Sequence, residues 1–302
     1  MRRGIVFVSL GLMVATACRD GGGSADSVGD KPRVVTSFYP LAQIAERVGG
    51  SRVAVTNLTP AGSEPHDLEL TPRDVDRIED AGIVVYLGGG FQPAIESAAE
   101  RAKGTALDVL STDLGLIDGY ENEEGDEGTD PHVWLDATLT KQIVQRVLTA
   151  LVDLDPPNKA AYEADARAYE QELDALDGAY RQGLAECDRR VIVTSHAAFG
   201  YLARRYGLVQ EAIAGLEPEA EPDAKRLSEL TTKVKAEGTT TIFTETLVSP
   251  EVADTLAKEA GVRTAVLNPL EGLSDDERSR GETYLSVMRQ NLETLRVALG
   301  CR

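Results

Sequence analysis

The sequence predicts an α/β fold of two parallel-sheet lobes joined by one long helix. Three observations carry this prediction. Short β-branched runs alternate with helical segments from residue 33 to about residue 110. The same alternation restarts at residue 190 and runs toward the C-terminus. Between the two lies a helical pattern from Asn158 to about Glu186, introduced by Pro156-Pro157. Parallel strands need a crossover between them, so strand–helix alternation implies a parallel sheet with helices on its faces.

In order, "RVVTS" (33–37) is a strand, "YPLAQIAERVG" (39–49) a helix with Leu41, Ile44 and Val48 on one face, and "RVAVTNL" (52–58) a strand. Thr71-Pro72 is a helix cap followed by proline in the first turn, where its missing N–H costs nothing. "IVVYLG" (83–88) and "TALDVL" (105–110) are strands around the helix "PAIESAAERA" (93–102). A polar stretch (119–130) precedes a helix from Asp136 to about Leu154. In the long pattern, Tyr162, Tyr169, Leu173, Leu176, Tyr180 and Leu184 recur at helical spacing. Strands at 190–195, 208–213, 240–245 and 263–270 then alternate with helices at 197–207, 223–238 and 250–261, and a final helix spans about 281–299. The expected organisation is residues 33–156 as the N-terminal lobe, 157–186 as the connecting helix and 187–302 as the C-terminal lobe.

The 302 residues carry a formal charge of −19, and only 5% are aromatic. That balance excludes nucleic acid as the main partner. Residues 1–17 have the plan of a signal segment: basic "MRR", an apolar run too short to span a bilayer, and "VATA" directly before Cys18. This resembles a bacterial lipoprotein signal, with Cys18 the residue to be lipidated; the alternative is a signal for ordinary secretion. Residues 18–32, rich in Gly, Ser and Asp, are a flexible tether. The rest of the chain is therefore expected on the outer face of the bacterial cytoplasmic membrane, or in a periplasm. In such a place Cys187 and Cys301 form a disulfide or remain two free thiols.

The chain has only three histidines, His66, His132 and His196. Each follows a strand or loop and precedes a helix, and open parallel sheets bind ligands beyond the carboxyl ends of their strands. His196 ends "VIVTS" and opens the next helix, whose positive end should favour the neutral, metal-binding imidazole. Their separations are too long to be a local motif, so the equivalent placement of all three carries the case for one metal ion. The expected fourth ligand is a carboxylate. Glu271, leaving a strand in "VLNPLEGL", is the choice, with Glu64 and Glu245 in reserve; Glu245 alternatively braces an imidazole from behind. Asn268 is a poor zinc ligand by type.

The segments "TSFYPL", "GSEPHDLELTP", "DPHVWLD", "TSHAAFGYLARRYGL", "PEAEPD", "FTE" and "LNPLEGL" together resemble the cluster 9 (cluster A-I) family, metal-binding lipoproteins that deliver zinc or manganese to ABC importers. The resemblance covers residues 33 to about 300. It implies the two lobes and long helix, with a metal site between the lobes held by His66, His132, His196 and a C-terminal-lobe carboxylate; where relatives read "LEGL", that is the glutamate, here Glu271. Many zinc members carry a histidine-rich loop where this chain has "ENEEGDEG" without histidine, and others have aspartate at Asn268.

Three imidazoles and one carboxylate suit tetrahedral Zn²⁺. Manganese-binding relatives tend to carry a carboxylate at the position of His196, so His196 favours zinc over the manganese alternative. The implied role is capture of Zn²⁺ and delivery to a membrane permease driven by an ATPase, by a monomer anchored through Cys18, with small lobe motions and binding that weakens in acid. An exported zinc hydrolase is the rival from another class. A closing carboxylate and the lack of an HExxH motif count against it. Adhesion as a sole function would require a host ligand bound without metal.

Overall fold

The computed structural model describes residues 1, 31–110, 112–117 and 128–302. All but the first residue of the signal segment, Cys18, nearly all of the tether and most of the acidic stretch lie outside the described residues. Among the described residues, no helix is long and apolar enough to cross a membrane.

Strands β1 (Arg33–Thr36), β2 (Ala54–Asn57), β3 (Ile83–Tyr86) and β4 (Thr105–Asp108) form one parallel sheet in the order β2-β1-β3-β4. Strands β5 (Val191–Thr194), β6 (Val209–Ala212), β7 (Thr241–Thr244) and β8 (Arg263–Val266) form a second, in the matching order β6-β5-β7-β8. Both inner strands of each sheet are covered on two sides. Val34 faces a large core with Leu41, Ile44 and Ile83, while its neighbour Val35 faces a separate cluster with Ile78, Val84 and Ile95. In the second sheet Ile192 joins the large core, and Val193 packs with Ile242, Leu230 and Leu256 on the far side. Strands buried on both faces read as unbroken β-branched runs, which is why they are visible in the sequence.

In the first lobe, α1 (Tyr39–Gly49), α2 (Pro72–Glu79) and α3 (Pro93–Ala99) are the crossovers. The Thr71 hydroxyl accepts from the Asp74 N–H while the Asp74 carboxylate answers the Thr71 N–H, closing the cap the sequence predicts. Helices α4 (Ala137–Leu154) and α5 (Lys159–Gly183) then cross the molecule. At about 1.5 Å per residue, α5 is about 37 Å long. Its Tyr162, Tyr169, Leu173, Leu176 and Tyr180 are all buried in the large core, which also takes in residues of both sheets. Fixing the lobes on one shared core and one spine opposes a wide hinge motion. The spine begins after a single 3₁₀ turn (Pro156–Asn158) and stops at Gly183, short of the expected Glu186. Past that end, the Arg190 guanidinium donates to the carbonyls of Leu184 and Ala185 and turns the chain into β5.

The second lobe holds α6 (Gly200–Tyr206), α7 (Ala224–Ala236) and α8 (Glu251–Ala260), then α9 (Asp275–Ser279) and α10 (Tyr284–Leu299). The single final helix expected from residue 281 is thus preceded by a short one with its own Ser274–Glu277 capping box. Gly281, at φ 72°, separates them. A Cys187–Cys301 disulfide ties the end of α10 to the segment entering β5.

Candidate metal centre

The four side chains singled out in the sequence converge. One oxygen of Glu271, Oε1, lies 3.2 Å from His66 Nε2, 3.1 Å from His132 Nε2 and 3.2 Å from His196 Nε2. His132 Nε2 and His196 Nε2 are 3.3 Å apart, and all four atoms fall within 4.8 Å of one another. A tetrahedral zinc with bonds of about 2.0–2.1 Å would set its ligands about 3.3–3.4 Å apart. Four of the six pairs are near that spacing, the two from His66 to the other histidines lie within 4.8 Å, and the donor types suit zinc. His132, His196 and Glu271 are fully buried.

Local sequence explains each placement. Residues 64–66 and 130–132 repeat one pattern, acid-Pro-His. In both, the acid accepts the histidine N–H: Glu64 Oε1 at 3.1 Å from His66 N, and Asp130 Oδ1 at 2.9 Å from His132 N. Proline bars the preceding residue from helix and fixes the turn. The shorter Asp130 also reaches the ring, 2.7 Å from Nδ1 of His132. Glu64 instead ends 4.0 Å from Nε2 of His66, beside the cluster, with its other oxygen buried and without a hydrogen-bond partner among the described residues. Of the two reserve carboxylates, then, Glu64 flanks the site. Glu245 braces it from behind: its two oxygens lie 2.8 and 2.7 Å from Nδ1 of His196.

The three histidines do not occupy equivalent connections. His66 follows β2, His132 follows β4, and His196 follows β5. His196 lies in a bend, and α6 begins only at Gly200. The expected helix end is therefore not its electrostatic partner. Burial alone would lower the His196 imidazole, but Glu245 and Glu271 outweigh it and hold the ring well above the ordinary value in the metal-free protein. This reverses the expected direction.

Glu271 is aimed by a strained turn. Leu270, directly before it, is the non-glycine residue with positive φ, 60°, among the described residues. Asn268 maintains that turn: its Oδ1 accepts from the Leu270 N–H at 2.7 Å and its Nδ2 donates to Glu277 at 2.8 Å. Trp134 Nε1 donates to the Pro269 carbonyl at 2.8 Å, linking the first lobe to the same turn. Asn268 thus braces the turn that carries Glu271 through its side chain.

Behind the imidazoles stands an aromatic shelf. Phe91 packs edge-on to His66 at 4.6 Å, and Phe38 and Trp134 pack at 4.7 Å. Such a dry wall strengthens every charge interaction in front of it. Burial alone would raise the Glu271 carboxyl, yet His196, His132 and His66 hold it well below the usual carboxylate range. Burial alone would lower His66, but contacts with Glu217 and Glu271 push it up to about 9. Burial, then the charge of Glu271, pushes Glu64 up to about 8.

Three residues of the site were not singled out in the sequence. Asp130 carried a signal, the repeated acid-Pro-His. Gly200 allows Asp130 to lie against α6, since a Cβ there would sit 2.6 Å from its Oδ2. Glu217, whose Oε2 is 3.3 Å from His66 Nδ1, carried no local signal because it comes from the opposite lobe.

Residues 34–298 match the family described as zinc-uptake complex component A, periplasmic (ZnuA). The chain is 39% identical to the high-affinity zinc uptake system protein ZnuA of Bacillus subtilis (strain 168) over a 310-residue alignment covering 98% of this chain and 97% of that protein. It is 41% identical over 278 residues to the zinc-binding lipoprotein AdcA of Streptococcus pneumoniae serotype 4, covering 88% of this chain and 55% of AdcA, so it spans about half of that relative. The Zn(II)-bound ZnuA-like domain of Streptococcus pneumoniae AdcA superposes with a TM-score of 0.75 at 38% identity, over 89% of this chain and 99% of that domain.

Proposed function

We propose, from the premise that this chain belongs to the periplasmic zinc-uptake component A (ZnuA) family, that it captures Zn²⁺ outside the cytoplasmic membrane and hands it to an ABC permease powered by an ATPase. His66, His132, His196 and Glu271 are the ligands. The observation that carries the reading is one carboxylate oxygen within 3.2 Å of three imidazole nitrogens from both lobes. Each ring turns its other nitrogen toward an outer carboxylate, Glu217, Asp130 or Glu245. That arrangement fixes the imidazoles for metal and raises their basicity. Because all four ligands belong to one chain, a monomer suffices. Residues 1–17 direct export, a lipid on Cys18 anchors the protein, and residues 18–32 tether it.

The reading implies cargo binding without turnover. Four protein ligands complete a tetrahedron and leave no open position for a water nucleophile. Metal content and zinc affinity of the chain lacking residues 1–17, measured beside His66→Ala and Glu271→Ala, test it. One tightly held zinc per chain, weakened in both variants and not displaced by manganese, is expected. Manganese held in preference would replace the metal and keep the transport role. A chain that takes up neither would refute the proposal.

A further inference from the structure

Three carboxylates stand behind the three imidazoles, and one differs from the others. Asp130 and Glu245 are buried, and each accepts from both the backbone N–H and the ring Nδ1 of its histidine. Glu217 meets His66 through a single oxygen, 3.3 Å from Nδ1, and its side chain is 65% exposed. The His66 side chain is only 3% exposed, and its Nδ1 has no aligned hydrogen-bond partner among the described residues.

A cavity of about 160 Å³ opens on this contact, lined by His66, Phe91, Pro131, Leu216 and Glu217. One water needs only about 10–15 Å³, so a partly hydrated ion has room there. Gly89 and Gly90, at φ 75° and 90°, also line it and keep side chains out of the mouth. His132, His196 and Glu271 do not line this cavity. His66 therefore stands between the mouth and the other three.

The topology supplies an independent reason for the pairing. His66 lies in the connection from β2 to α2, and Glu217 in the connection from β6 to α7. The strand orders make these the matching connections of the two lobes. Their tips meet across the cleft.

We propose that Glu217 is the latch of the zinc site. This carboxylate of the second lobe orients His66 from outside, and it swings away for a divalent cation to enter or leave. The proposal rests on the reading that the three histidines and Glu271 hold zinc. With the latch closed, His66 Nδ1 faces the Glu217 carboxylate at 3.3 Å and the Nε2 lone pair points at the ion. Opening breaks one exposed contact, which is weak. Opening instead at Asp130 or Glu245 would strand a buried charge. The easiest path for the ion therefore runs past Glu217 and His66.

Stopped-flow kinetics on the full mature chain test this, with zinc association followed directly and dissociation followed into excess chelator. Glu217→Ala is expected to hold one zinc per chain, to release it about tenfold faster than the parent, and to take it up no more slowly. Glu217→Gln keeps a carbonyl that can accept from Nδ1–H and should fall between the two. An unchanged release rate in Glu217→Ala overturns the latch. So does slowed uptake with unchanged release, which would make Glu217 an electrostatic lure only. A parent chain that binds no zinc would instead remove the zinc-binding reading, and the latch with it.

Discussion

The two lobes share one plan and use it for different chemistry. β1 ends in Thr36 and is followed by Ser37-Phe38; β5 ends in Thr194 and is followed by Ser195-His196. Both Phe38 and His196 are fully buried, the first against Phe91 and Trp134, the second against Glu245 and Glu271. The register carries the match to the next strand. Thr36 pairs with Val85 and Thr194 with Phe243, so Leu87 and Glu245 stand at corresponding places two residues on. At both positions the first lobe places hydrocarbon and the second a polar group. Sheet topology fixes where the strand ends point, and one residue at each end decides whether it joins the apolar wall or the polar cluster. The first lobe's own histidines come from longer loops after β2 and β4, positioned by their acid-Pro-His turns.

That contrast predicts separable losses. Phe38→Ala should act on stability: truncating a fully buried phenylalanine costs about 3–5 kcal/mol. Thermal or denaturant unfolding of the metal-free chain would show it, while the folded variant still binds one zinc. If zinc were lost with stability intact, Phe38 would belong to the binding machinery and the division between wall and ligand would fail. Glu271→Ala should do the opposite and weaken zinc by at least about a hundredfold, more than outer-shell changes typically do. Competition with a calibrated chelator reads this, and an affinity within tenfold of the parent would exclude Glu271 as a ligand.

The fold was legible because burial on both faces writes itself into strands such as "RVVT" and "IVVY", and because Thr71-Pro72 marks a helix start without help from the rest of the chain. The three histidines and Glu271 could be singled out for their residue type and their place after strands. What sequence could not supply was anything depending on the approach of the lobes. Glu217 and the Trp134–Pro269 link join residues 151 and 135 positions apart, 217 − 66 and 269 − 134. The raised protonation of His196 has a different cause, a contact within its own lobe. Its neighbour in space is Glu245, 49 residues away, and not the helix that follows it in sequence.

Protonation gives the next expectation. In the metal-free protein, against burial, Glu217 and Glu271 push His66 up to about 9, so it holds a proton at pH 7, and Glu245 and Glu271 hold His196 above the ordinary value as well. Zinc takes neutral imidazole and must expel the His66 proton. Affinity should keep climbing from pH 7 to 9, by about a factor of ten per pH unit for each proton released, where an ordinary imidazole would level off. Titration calorimetry in buffers of different ionisation enthalpy counts those protons. Stability of the metal-free chain should move the other way. A raised folded-state value contributes fully below about 6.5 and is lost as the pH rises through about 9. Glu271, with its value depressed, contributes above the ordinary carboxylate range and is lost as the pH falls. An affinity flat above pH 7 would show that the imidazoles are already neutral there.

The smallest differences are expected between the two buried outer carboxylates, and their geometry ranks them. Glu245 sets both oxygens against the Nδ1–H of His196, at 2.8 and 2.7 Å. An amide in its place keeps one acceptor and must turn an NH₂ group toward the same N–H, so Glu245→Gln should weaken zinc by close to about a hundredfold. Asp130 serves both the N–H and the ring of His132 through a single atom, Oδ1, at 2.9 and 2.7 Å. Asparagine can keep that oxygen in place and put its NH₂ where Oδ2 lies beside Gly200. Asp130→Asn should therefore cost only about tenfold, the lower end for such partners. The two affinities, measured by chelator competition in one buffer, decide the matter. Equal losses would mean that charge alone sustains the imidazoles. A larger loss in Asp130→Asn would mean that the first lobe's turn, rather than the second lobe's paired oxygens, holds its histidine more tightly to the ion.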